Sequence, residues 1–415
     1  MTNLWRHRDF LLLWAGQTVS QFGAQITFVA FPLTAVLVLH ASALQMGVLG
    51  AVQIAPYLLV GLFAGVIADR VRRRPLLIAA DIGRAVVVGA VPVLWALGRL
   101  AMADLYAVAF VAGCLSVLFD TAYQSYLPAV VSRQGLVEGN SRLEASRAIS
   151  QVAGPSLGGG LVQAVGAPFT ILANAVTYVV SVASLLMIRG REPQPARAPA
   201  GVGMWAQIGE GLRVVFGNRT LWSIAGCTST SNFFGSIGQA VYVLYVVRQL
   251  HLSPALIGLV YGVGSVGGLL GALAARPMGL RLGVGSTIIA GMAVTGIGSL
   301  LVPLAPGSLA AALPFLVAAQ VLTGFGGTTY NIQQVSLRQA LTPDRLLGRM
   351  NASMRFIVWG SIPLGSLLGG ALAEAIGLHA TLWLGASGGL TAGLWVLLSP
   401  VRVLRSQPEP AAEPA

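Results

Sequence analysis

Asp120 lies inside an apolar run from Leu105 to Leu127. A carboxylate at such depth costs about 2.5 to 3.5 kcal/mol on insertion scales, so it stands there for a reason. Two chemistries suit it. It can latch onto Arg73 across the ends of two helices, or it can lose that partner, become desolvated and take up a proton. A second group of charges crowds the stretch Gly61 to Leu77, GLFAGVIADRVRRRPLL, where Asp69, Arg70, Arg72, Arg73 and Arg74 separate two apolar runs. Charges this dense stay out of hydrocarbon and mark a tight cytoplasmic turn, because arginine-rich loops are retained inside. Asp69 beside four arginines is held ionised, and such a group can hold the N–H-rich start of a facing helix. A plain positive-inside anchor would account for the arginines but not for the Gly65-x-x-x-Asp69 spacing ahead of them.

Other chemistry finds no footing. His7, His40, His251 and His379 fall in loops or at the terminus, and Cys114 and Cys227 lie far apart in apolar runs, with neither a base nor a metal-ligand spacing beside them. The chain contains no lysine and therefore no P-loop. No catalytic residue, cofactor or metal site is expected, so the protein is not read as an enzyme. Any work it does draws on an ion gradient or on its ligand's own gradient.

The elements that position these groups are membrane helices. Of 415 residues 55% are apolar and only 9% charged, with mean hydropathy +0.78. A soluble core cannot bury that much apolar surface, so the lipid bilayer is the protein's partner. The net charge of +12 is all arginine spread between apolar runs, which excludes a nucleic-acid surface. Fifty-two glycines suit helices that approach closely in lipid. With about 20 apolar residues per crossing, the chain divides into twelve spans between Phe10 and Leu398. The start MTNLWRHRDF leads into an apolar stretch too long for a signal peptide. Arginines concentrate on one side, with Arg99 and Arg248 near the other, so both termini are expected in the cytoplasm.

The predicted class is all-α, a polytopic membrane protein. Residues 1–188 are expected as an N-terminal six-helix bundle, 189–218 as a cytoplasmic linker with a short interfacial helix, 219–401 as a C-terminal six-helix bundle and 402–415 as a disordered cytoplasmic tail. The two bundles are copies. At a constant step of 211 residues, seven of the fourteen positions from Leu157 to Thr170 recur, among them Gly158 as Gly369, Gly159 as Gly370 and Gly166 as Gly377. His40 recurs as His251, Gly47 as Gly258 and Asn140 as Asn351. The acids do not recur: Asp69 becomes Leu280 and Asp120 becomes Asn331.

The spacing Gly65, Asp69, Arg70, Arg73, Arg74, Leu77 resembles the loop signature of the major facilitator superfamily, with Arg72 where that family usually has glycine. Parallel repeats related by an axis along the membrane normal are what the facilitator fold has, twelve helices with the substrate site at mid-membrane. The string SQVAGPSLGG carries Ser150, Gly154, Pro155, Gly158 and Gly159 and is similar to the antiporter motif of drug-exporting facilitators, Ser150 replacing the first glycine. Proline bends such a helix and the glycines admit a close neighbour. The run Phe119 to Gly159 resembles the branch that holds macrolide efflux and siderophore exporters. The resemblance implies a secondary active transporter of the inner membrane that exports a small, amphiphilic organic compound by alternating access in exchange for protons, with Arg355 facing Asp69 at the cytoplasmic gate. A lipid or uptake carrier on the same fold, or a membrane sensor that has lost transport, remains the alternative.

Mid-helix polar residues are the candidates for a substrate cavity, since a lipid-facing amide is costly. Gln17, Gln21 and Gln25 form one stripe, and Gln151, Asn232, Gln320 and Asn331 sit at comparable depth. Phe22, Phe28, Phe31, Phe233, Phe234, Tyr330 and Trp359 could form an aromatic wall. Each has a plainer reading as an interhelical hydrogen bond or as packing. Asp81 with Arg84, and Glu144 with Arg147, stand three apart on their helices and read as local neutralisation close to the interface. So few charges at depth favour neutral or weakly charged ligands, and a monomer is the default.

Overall fold

The computed structural model describes residues 4, 7–61, 63–64, 71–131, 135–190 and 204–406. Gly65, Asp69, Arg70, residues 191–203 of the expected linker and most of the expected tail lie outside the described residues. Among the described residues thirteen α-helices form: α1 (Arg8–Leu33, prolonged by a π turn Thr34–Val38), α2 (Ala43–Leu59), α3 (Arg73–Ala96), α4 (Met102–Val130), α5 (Leu136–Val165), α6 (Ala167–Met187), α7 (Met204–Gly217), α8 (Arg219–Arg248), α9 (Pro254–Leu282), α10 (Val284–Leu300), α11 (Leu309–Ala340), α12 (Asp344–Ile376) and α13 (Leu378–Leu397). The twelve other than α7 coincide with the twelve predicted spans. Eight are long and apolar enough to cross a bilayer by themselves. Of the rest, α2 and α10 are apolar but only 17 residues long, while α5 and α8 have the length without the hydropathy.

Local chemistry sets the helix ends. The His7 ring accepts from the Phe10 N–H at 3.2 Å, and the Asn218 side chain accepts from the N–H groups of Thr220 and Leu221 at the start of α8. The hairpins α5–α6 and α12–α13 turn on single glycines, Gly166 (φ +86) and Gly377 (φ +85), where a side chain would be strained.

Contacts divide the chain into two compact units. The first holds residues 1–41, 52–200 and 252–262, and the second holds 42–51, 201–251 and 263–415. The cut therefore differs from a single break at the linker, since the first turns of α2 and α9 each group with the other repeat's helices. In the first unit, Leu4, Phe10, Leu13, Leu77, Phe119, Tyr126 and Leu185 are buried in one cluster. In the second, Val215, Leu221, Ile224, Ile288, Tyr330, Leu337 and Val396 do the same. These are the same seven positions 211 residues apart, so duplication is written into the packing as well as the sequence.

Candidate functional site

In the first unit the acid stands where five helices converge. Asp120 on α4 is exposed, as is Arg147 on α5. Exposed charges within membrane helices need water rather than lipid, so this face is wet. The charges of Arg84 and Arg147 act on Asp120, and with it on the Tyr57 hydroxyl of α2, near which Tyr178 of α6 also lies. Tyr123, three residues along α4, feels the Asp120 charge too. Among the described residues Asp120 makes no hydrogen bond or ion pair, with Arg73 or with any other group.

Arg84 organises that cluster. Its guanidinium pairs with Asp81, donates to the Ser116 hydroxyl at 3.4 Å, and lies 4.2 Å from the Phe119 ring centroid and 4.5 Å from that of Tyr178. Asp81 is 0% exposed and Arg84 6%. The expected local neutralisation of Asp81 by Arg84 forms, and the pair is enclosed between α3, α4 and α6. The other expected pair, Glu144 with Arg147, does not form; Arg142 pairs with Glu138 on the same helix instead. Of the arginines in the charged loop, Arg73 begins α3. Arg74 donates from Nε to the Leu185 carbonyl and from its terminal nitrogen to that of Leu186, both at 2.9 Å, capping the end of α6.

The glycine and proline string on α5 is a seam of close backbone approach. Gly154 faces the Gln25 side chain of α1, Gly158 faces the Ile26 backbone, and Gly159 faces Gly258 of α9. A Cβ on Gly158 would stand 3.0 Å from the Ile26 Cα. Ser150, at the first motif position, is buried and donates to the Arg147 carbonyl at 2.8 Å. Gln25 is thus the lid on Gly154, and Gln17 is buried with its amide 3.5 Å from the Ser181 hydroxyl of α6. Gln21 is half-buried and Gln151 exposed.

The second unit holds a cavity of about 380 Å³ between α8, α11 and α12. Four residues singled out from sequence meet there: Asn232, Asn331, Arg355 and Trp359. Asn232 donates to the Val358 carbonyl at 3.1 Å, and Asn331 accepts from the Gln334 amide at 2.9 Å. Arg355 is exposed, with its guanidinium 5.5 Å from the Trp359 ring. Arg338 completes the wall and was not anticipated, because the end of a predicted span is where any anchoring arginine sits. Two named residues lie elsewhere. Gln320 is half-buried on α11 and hydrogen-bonds the Tyr242 side chain. Phe233 packs edge-on to Phe234 at 5.3 Å, its carbonyl against Gly365. Phe31 and Tyr330 are buried packing residues rather than a wall. Among the described residues no group of three His, Cys, Asp or Glu could hold a metal.

The model of the transmembrane secretion effector family, within the major facilitator superfamily, matches residues 3–414. The chain belongs to this family. The protein is therefore a multi-pass membrane transporter and not an enzyme. It is 29% identical over 393 residues to the multidrug efflux pump Tap of Mycolicibacterium fortuitum, covering 92% of this chain and 93% of that one. It is 27% identical over 350 residues to the class C tetracycline resistance protein of Escherichia coli, 81% of each chain being covered. In fold it is similar to a bacterial homologue of the iron transporter ferroportin crystallised in an inward-facing state, with a TM-score of 0.76, 19% identity, and coverage of 96% of this chain and 99% of that one. At that identity the likeness speaks for the fold alone. The polar character of α5 and α8 is then intelligible, since helices that carry wet or closely packed faces cannot be apolar all round.

Proposed function

We propose that this transporter exports a small, amphiphilic organic compound, drug-like or siderophore-like, across the inner membrane in exchange for protons, working as a monomer with both termini in the cytoplasm. The observation that carries the reading is Asp120: an exposed carboxylate at membrane depth, without an ion-pair partner among the described residues and under the influence of two arginines. Proton uptake there removes a negative charge from the face shared with Arg84, Arg147 and Tyr57. The balance of forces on α2, α3 and α5 then changes, which is what a coupling step requires. The α5 seam of Gly154, Pro155, Gly158 and Gly159 lets neighbouring helices slide on backbone without bulky side chains in the way. Alternating access would be gated at the charged loop by Gly65, Asp69, Arg70 and Arg73, with Arg355 as the opposing charge. Export rather than uptake is favoured by the relatives, a multidrug efflux pump and a tetracycline resistance protein.

The test is energised efflux from cells given a panel of dyes, macrolides and siderophore-like compounds, with and without a protonophore, for wild type and Asp120→Asn. Extrusion that the protonophore stops, and that the membrane-inserted variant lacks, supports the reading. Extrusion that persists in Asp120→Asn removes Asp120 from the coupling path. A panel in which nothing moves favours a lipid or uptake carrier, or a sensor.

A further inference from the structure

At two matched positions the acids of the first repeat are lost in the second, one to an amide and one to an arginine. Asp120 and Glu144 of the first become Asn331 and Arg355 of the second at the step of 211 residues. Both second-repeat residues line the cavity between α8, α11 and α12, where Arg338 adds another positive charge and no acidic residue contributes to the lining. Among the described residues neither Arg338 nor Arg355 is in an ion pair. Two polar atoms of the wall are left without hydrogen-bond partners, the donor Nε of Arg338 and the acceptor Oε1 of Gln334, the latter on a side chain that is only 3% exposed. Unpaired buried polar groups are costly, and a small turn of the Gln334 and Arg338 side chains toward a ligand in the cavity recovers that cost. Trp359 and Met354 provide the apolar part of the wall, and the volume lies within the range of small-molecule sites, roughly 300 to 1,000 Å³.

We propose that this cavity binds an organic acid, its carboxylate or equivalent anion held by Arg338 and Arg355 and a neighbouring hydroxyl or N–H donor meeting Gln334. Arginine suits the task because its planar fork matches a carboxylate with two parallel hydrogen bonds. Such a site narrows the expected neutral or weakly charged ligands to anionic ones. The inference deepens the exporter reading in one respect only, that the bound acid is cargo. The first repeat then manages a positive charge, the proton, and the second a negative one.

The test uses the full chain in phosphatidylcholine nanodiscs and calorimetric titration with three probes. Salicylate carries a carboxylate beside a hydroxyl, salicylamide keeps the hydroxyl without the charge, and benzoate keeps the charge without the hydroxyl. Salicylate should bind saturably and at least tenfold more tightly than salicylamide, with benzoate between them. Arg338→Gln and Arg355→Gln should each weaken salicylate at least tenfold, while Arg402→Gln, an exposed residue of the turn Pro400–Val403, leaves it unchanged. Arg355 is exposed and lies over the Trp359 ring, so its replacement disturbs little of the core and serves if Arg338→Gln folds poorly. Weaker salicylate binding in phosphatidylglycerol discs would identify an anionic headgroup as a competitor for the same site, and unchanged binding would identify free acids as the ligands; both are consistent with the site. Equal binding of salicylate and salicylamide, or wild-type binding by the Arg355 variant, overturns it. A protein that extrudes a neutral dye but binds no acid loses this site and keeps the exporter reading. One that binds acids but extrudes nothing does the reverse.

Discussion

Gly258 of α9 rests on Gly159 of α5 backbone to backbone, so that a Cβ on Gly159 would stand 2.9 Å from the Gly258 Cα. One repeat away, Gly47 and Gly370 meet in the same manner, a Cβ on Gly47 standing 3.0 Å from the Gly370 Cα. Backbone cannot yield as a flexible side chain does. Gly159→Val should therefore cost about 1 to 3 kcal/mol, read as a lower midpoint of thermal unfolding in detergent. Gly258→Val should cost a similar amount, and the double variant less than the sum because both act on one crossing. Additive losses would show that the two glycines do not share that crossing.

The enclosed pair of Asp81 and Arg84 gives a test with opposite signs. Asp81→Leu alone strands a buried guanidinium and should destabilise the protein by about 3 to 5 kcal/mol. Adding Arg84→Met should recover most of that loss, because no charge then remains to be stranded. Thermal unfolding of the single and double variants decides. A double variant as unstable as Asp81→Leu would mean that the Phe119 and Tyr178 rings, rather than the ion pair, hold the region together.

Asp120→Asn should abolish protonophore-sensitive efflux while leaving counterflow exchange of substrate across proteoliposomes intact, since exchange needs the moving helices but not the coupling ion. Loss of both activities would instead assign Asp120 to the conformational change or to binding.

His379 at the start of α13 lies with Nε2 2.8 Å from the Pro303 carbonyl, tying down the segment between α10 and α11. His379→Ala should lower stability by about 0.5 to 1.5 kcal/mol. Hydrogen exchange of residues 301–307 should rise at the same time, and unaltered exchange there would show that the bond does not restrain the segment.

What could be read without coordinates was whatever repeats. The step of 211 residues carried the helix order, both tight glycine turns and the crossing positions Gly159 and Gly370, because a small residue at a fixed place in a helix leaves its mark in the sequence. Arg84 was visible only as the neighbour of Asp81 three positions away. Its partners Ser116, Phe119 and Tyr178 come from other helices, and nothing in local spacing announces which faces will meet. Gln25 illustrates the same limit from the other side. Its place in the glutamine stripe was plain, yet that it covers Gly154 depends on how α1 crosses α5. Arg338 was hidden by abundance, one arginine among many at the cytoplasmic ends of helices, and only the cavity sets it apart.

His40 and His251 are left-handed residues without the freedom of glycine, at φ +49 and +52. Such a conformation is uncommon outside glycine, and the two stand one repeat apart. The simplest history is that the ancestral half-length chain already bent on a histidine here, and that both descendants kept the bend while much around it diverged. A pair of matched backbone angles of this kind is a ruler. It can register the two halves of a distant relative whose side chains no longer align.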